Sequence, residues 1–167
     1  LPAGDPGPIA DHRLVADDRA GLAQLLLHAL PRGQGPALHQ PGGEEELRSG
    51  LGEILKLHLT GGPFFVERFA SALGSATGAL PSLETIRALT WGSLVVKRAV
   101  IERDEFELDL RRALNYGHTI GHAIENLSGF GIPHGKAICL GMAIVNQVAV
   151  NRGILAREVH EAVLRLI

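Results

Sequence analysis

Residues 114–125, LNYGHTIGHAIE, set His118 and His122 four positions apart, with Asn115 just upstream and Glu125 just downstream. In an α-helix, side chains four apart lie over one another on the same face. The spacing alone leaves three readings open. The imidazoles could share a metal ion, since histidine is a common ligand of zinc and similar ions. They could be an acid/base pair, or two unrelated side chains satisfied by carboxylates and backbone carbonyls.

The neighbouring segments carry the same helical grammar. Downstream, a loop with Ser128, Gly129, Gly131 and Pro133 precedes an apolar helix predicted from about His134 to Arg152. The chain then ends inside a further apparent helix, EVHEAVLRLI. Upstream, Leu47, Leu51, Ile54, Leu55 and Leu59 form one stripe that Gly61-Gly62 terminates, on a helix that also carries Glu53 and Lys56. A second helix starts near Pro63, ends near Gly74 and is expected to bury Phe64, Phe65, Phe69 and Leu73. A third, capped by Ser82, runs through Leu83, Ile86, Leu89 and Leu94 to about Ile101, with Trp91 expected in the core. No alternating strand pattern of useful length follows residue 44, so the fold class is all-α. Residues 1–43 differ: they are rich in Gly and Pro and read as a loosely packed arm with one helix at DDRAGLAQLLLHAL (17–30). The organisation is therefore an arm over 1–43 and a helical domain over 44–167.

Composition narrows the function classes. The 167 residues are 46% hydrophobic, enough for one domain with a real core. With 16 Lys and Arg against 18 Asp and Glu there is no electrostatic footprint for nucleic acid. The apolar run Ala137–Val145 is about half of what a bilayer requires, so no membrane span is expected. The single cysteine, Cys139, can form no internal disulfide and reads as a small hydrophobe in a reducing, cytoplasmic setting.

Four stretches together carry a resemblance. RRALNYGHTIGHAIE (111–125) followed by PHGKAICLGM (133–142), with RSGLGEILK (48–56) and KRAVIERDEFE (97–107) upstream, resembles the carboxy-terminal, metal-binding domain of the dehydroquinate synthase family. That family includes the related sugar-phosphate cyclases of natural-product pathways. The likeness covers roughly residues 47–150. It implies that Glu53, His118 and His134 are the metal ligands, so that His122 becomes a catalytic or phosphate-contacting residue and not a ligand. It further implies that Lys56, Lys97, Arg111 and Asn115 line the substrate pocket, where cations and amides would hold phosphate and other polar groups. Asp104, Glu105 and Glu107 match an acidic segment expected to support those residues. His12, His28, His39, His58 and His160 match no site position.

The activity implied is that of a carbon–oxygen lyase acting on a phosphorylated sugar-like substrate, with Zn2+ or Co2+ and NAD as cofactors, in a homodimer. NAD takes a hydride from a secondary alcohol, phosphate is eliminated, and reduction, ring opening and aldol closure follow. Some features depart from the pattern. Residues 1–43 contain no glycine-rich nucleotide cradle after a strand, so the amino-terminal α/β domain is expected to be missing, with the arm its remnant. ALHQPGGEEELRSG (37–50) resembles the end of that domain joined directly to the next helix. Lys136 stands where dehydroquinate synthases usually carry Glu, which keeps a 2-deoxy-scyllo-inosose synthase-like cyclase of antibiotic biosynthesis as an alternative. A metal-binding fragment without turnover is another. An unrelated metal hydrolase would instead require His118 and His122 to bind the metal together.

Overall fold

The structure, a computed structural model, describes residues 43–74 and 79–167. The arm, apart from Gly43, and its helix at 17–30 lie outside the described residues. Among the described residues six α-helices run in order: α1 (Gly43–Gly61), α2 (Pro63–Leu73), α3 (Leu83–Arg103), α4 (His118–Leu127), α5 (His134–Asn151) and α6 (Arg157–Leu164). A 3-10 helix, Leu110–Asn115, sits between α3 and α4. Among the described residues there is no strand, and no helix is long and apolar enough to cross a membrane.

The local causes are readable. Three acids, Glu44, Glu45 and Glu46, occupy the first turn of α1, where the exposed N–H groups favour negative charge. Gly62, at φ 91, takes a left-handed conformation that ends this path, and Pro63 starts α2 with its φ already set. Ser82 caps α3 by accepting from the Thr85 N–H at 3.1 Å. Gly117, at φ 79, makes the turn from the 3-10 segment into α4.

α1 is the central element and packs on α2, α3 and α5, while α4 and α6 pack on α5. Leu55, Phe69, Leu89, Ile138 and Met142 form the core, with Leu51, Ile54, Leu59 and Cys139 against it. The stripe read on α1 therefore faces inward. Two aromatic expectations fail. Phe64 is exposed and lies beneath the Arg68 guanidinium, 5.8 Å from its ring centroid, because five residues separate it from the buried Phe69 and place it on another face of the helix. Trp91 is only half-buried, since α3 turns Leu89, Ser93, Val96 and Val100 inward. His58 is a satisfied core histidine, with Nδ1 donating to the Ile54 carbonyl at 2.9 Å and the ring against Phe65 and Phe69.

The helices that matter for the site cross with backbones almost touching. A Cβ built at Gly135 would lie 1.7 Å from the Ser49 carbonyl oxygen, and one at Gly52 would lie 2.5 Å from the Gly135 carbonyl oxygen. On the other side of α5, a Cβ at Gly141 would lie 2.1 Å from the Gly117 carbonyl oxygen, and one at Gly121 would lie 2.7 Å from the end of Ile138. Only glycine allows such approach. The Gly135 N–H is used as well, donating to Ser49 Oγ at 2.8 Å.

Candidate metal centre

The residues beside those glycines form the site. Glu53 follows Gly52, His118 follows Gly117, His122 follows Gly121, and His134 precedes Gly135. The α1–α5 and α4–α5 crossings thereby deliver one carboxylate and three imidazoles to a common place. Glu53 Oε1 lies 3.4 Å from His134 Nε2 and 3.8 Å from His118 Nε2. One ligand atom from each of Glu53, His118 and His134 falls within 4.8 Å of the others, a grouping suited to a metal ion. A second group of the same kind, His122, Glu125 and His134, shares His134.

The donor set fits a metal ion on two grounds. Glu53 Oε1 is buried and has no hydrogen-bond partner, which is costly for a carboxylate oxygen unless a cation or proton serves it. One carboxylate with two imidazoles is also a donor combination used in catalytic zinc sites, where a further position stays open. His118 donates from Nδ1 to the Tyr116 carbonyl at 3.3 Å, which leaves Nε2 as the lone-pair nitrogen on the Glu53 side.

Lys56 closes the inner wall. Its ammonium is buried and bonds Glu53 Oε2 at 2.8 Å, with His118 Nε2 at 3.5 Å. Burial, and then the positive charge of Lys56, hold the His118 imidazole below its ordinary pKa. The Glu125 carboxyl is also held low, chiefly by its hydrogen bond with His122, with His134 adding to the effect against the opposing pull of burial. Cys139 is pushed up to about 11 by burial and by the Glu53 charge, which fits an unreactive packing thiol.

The remaining expected site residues are not in this cluster. Lys97 is exposed on α3, and among the described residues no hydrogen bond or ion pair joins it to Glu53 or the histidines. Arg111 donates from its guanidinium to the Glu105 carbonyl at 2.7 Å, and Asn115 donates to Glu107 at 2.7 Å. Both are thus tied to the acidic connection. Asp104 organises that connection by accepting from the Leu108, Asp109 and Arg111 N–H groups, and these bonds hold its carboxyl below the usual range. Sequence reasoning gave Glu125 no role beyond being within reach. The available signal was its place four residues after Gly121, on the buried face of α4.

In this all-helical domain two imidazoles converge on the buried, unpartnered oxygen of one carboxylate, a grouping that could hold a metal ion. The comparisons make the class particular. The family model described as "3-dehydroquinate synthase C-terminal" matches residues 50–167, and the chain belongs to that family. It is 40% identical over 130 residues to a 3-dehydroquinate synthase of Desulforamulus reducens, covering 74% of this chain and 34% of that protein. A 3-dehydroquinate synthase of a Synechococcus strain is 37% identical over 125 residues, with the same coverage of each chain. A 2-epi-valiolone synthase of Actinosynnema mirum is 36% identical over 124 residues, covering 73% of this chain and 32% of that protein. The chain thus spans about a third of the length of the curated relatives it matches. No solved structure matches it.

Proposed function

We propose that this chain is the metal- and substrate-binding helical part of a sugar-phosphate cyclase of the 3-dehydroquinate synthase type, with Glu53, His118 and His134 holding Zn2+ or Co2+. The observation that carries the reading is the buried, unpartnered Glu53 Oε1 faced by two imidazole Nε2 atoms. A metal bound there supplies Lewis acidity toward substrate hydroxyl and carbonyl oxygens. Lys56, fixed by Glu53, presents its remaining ammonium protons to an anionic or hydroxyl oxygen and orients it. The His122 side chain is 57% exposed and anchored through Nδ1, which leaves Nε2 able to pass a proton to or from a bound substrate or its phosphate. Arg111, Asn115 and Lys97 act from the rim as phosphate and hydroxyl partners, the first two exchanging their present bonds to the acidic connection for bonds to substrate.

NAD, the hydride carrier of the parent reaction, needs a nucleotide domain whose glycine-rich cradle the sequence of residues 1–43 does not contain. The working protein is a homodimer in the cytoplasm. The likeness to a 2-epi-valiolone synthase supports a second reading in which the product is a cyclitol other than dehydroquinate. Lys136, paired with Glu45 at 2.8 Å, stands next to His134–Gly135 and is the first position to compare between those product classes.

Elemental analysis of wild type, His122→Ala and His134→Ala after dialysis against a weak chelator tests the site. Wild type and His122→Ala should retain a single zinc or cobalt, and His134→Ala should lose it. Loss of metal by wild type, or by His122→Ala alone, overturns the assignment.

A further inference from the structure

We propose that Glu125 is the positioning residue of this centre, its one carboxylate setting the tautomer and ring orientation of both His134 and His122. The inference rests on the reading that Glu53, His118 and His134 hold the metal. Glu125 projects from α4 with its side chain only 12% exposed. Its Oε1 accepts from His134 Nδ1 at 3.0 Å, and its Oε2 accepts from His122 Nδ1 at 2.8 Å. A carboxylate has no proton to give, so both rings carry their hydrogen on Nδ1. In the neutral imidazole that leaves the lone pair on Nε2, and His134 Nε2 is the atom that lies 3.4 Å from Glu53 Oε1. The second consequence is angular. The His122 and His134 rings, each bonded to one oxygen of the same carboxylate, lie within 29° of parallel with centroids 5.6 Å apart.

The residue is itself held. Its backbone carbonyl accepts from the Phe130 N–H at 2.9 Å and from Ser128 Oγ at 2.9 Å, which fixes the end of α4 under the carboxylate. A ligand histidine whose far nitrogen is bonded to a carboxylate is oriented and made more basic before the metal arrives. The same carboxylate holds His122, the more exposed ring, through Nδ1 and leaves its Nε2 to exchange a proton, so one group divides two adjacent histidines between ligand and proton carrier.

The test uses the full chain loaded with Co2+, compared across wild type, Glu125→Gln, His118→Ala and His122→Ala. The amide of Glu125→Gln can accept from one ring but faces the other with a donor. It should weaken metal affinity by roughly 10–100-fold and shift the ligand-field absorption of bound cobalt, while the metal-free protein still folds cooperatively. Should Glu125→Gln fail to fold, Glu125→Asp, which keeps the charge but is too short to reach both rings, should show the same weakening. Wild-type affinity and an unchanged spectrum in the Glu125 variant, while His118→Ala loses metal, would overturn the positioning role alone. Undiminished binding in His118→Ala would overturn the underlying site. Loss of metal in His122→Ala would show instead that the ion sits among His122, Glu125 and His134.

Discussion

Replacing Gly135 by alanine tests the backbone crossing on which the site depends. The new Cβ would stand 1.7 Å from the Ser49 carbonyl oxygen, where ordinary contact begins at 3.4 Å, so the two backbones would have to part by about 1.7 Å. The obstacle is backbone, which no rotamer change relieves. Overpacking of this kind costs up to about 3 kcal/mol, and the better helix propensity of alanine returns at most about 1 kcal/mol. The net loss is about 2 kcal/mol, read as a lower urea midpoint at unchanged slope. Metal binding should suffer as well, because ligand distances must hold to about 0.2 Å and His134 is the adjacent residue. Gly50→Ala is the matched control. It lies in α1, next to Ser49, with nothing within 4 Å of its Cβ, so it should stabilise by roughly 0.5–1 kcal/mol and leave metal binding alone. If Gly135→Ala is as stable as Gly50→Ala and binds metal as tightly as wild type, the close crossing is not what holds α1 against α5.

Met142→Ala, at a side chain with no exposure in the core, should cost about 2–5 kcal/mol by chemical denaturation. Ser82→Ala removes the α3 cap and should cost about 1 kcal/mol, a loss that Ser82→Asp should largely avoid. Burial holds His58 below its ordinary pKa of 6.5 despite the Ile54 carbonyl, so the unfolded chain binds this proton more readily than the folded one. The His58 contribution is therefore fully present above pH 6.5 and is lost as pH falls from there toward the folded pKa. Urea titrations across that window should show a shallower acid slope for His58→Leu than for wild type, and an identical slope would refute the assignment.

The helices were legible because glycine and proline punctuate them and because leucines on α1 recur at helical spacing. The 3-10 segment over 110–115 was not, since LRRALN has no apolar period and its start is held by Asp104, which accepts from the Leu108, Asp109 and Arg111 N–H groups. Phe64 and Trp91 were misplaced for a shared reason: an aromatic side chain on a helix does not itself say which face is turned inward. Glu53, His118 and His134 do lie together, but spacing alone could not reveal it. A pair four apart on one helix suggests a shared ligand, whereas the side chain that turns His134 toward Glu53 is Glu125, nine residues away across a loop. The glycines were visible but mute, because a residue without a side chain leaves no hydrophobic pattern even where it decides how closely two helices approach.

The crossings also set an order of assembly. Glu125 and His134 are nine positions apart and lie on helices joined by one short loop, whereas Lys56 meets His118 across 62 positions and Ser49 meets Gly135 across 86. Closing the shorter loop costs less chain entropy, so the histidine hairpin of α4 and α5 forms early and α1 docks onto it later. Glu53 is then the last ligand to arrive, and a metal ion present during refolding would meet the imidazoles before the carboxylate that completes their set.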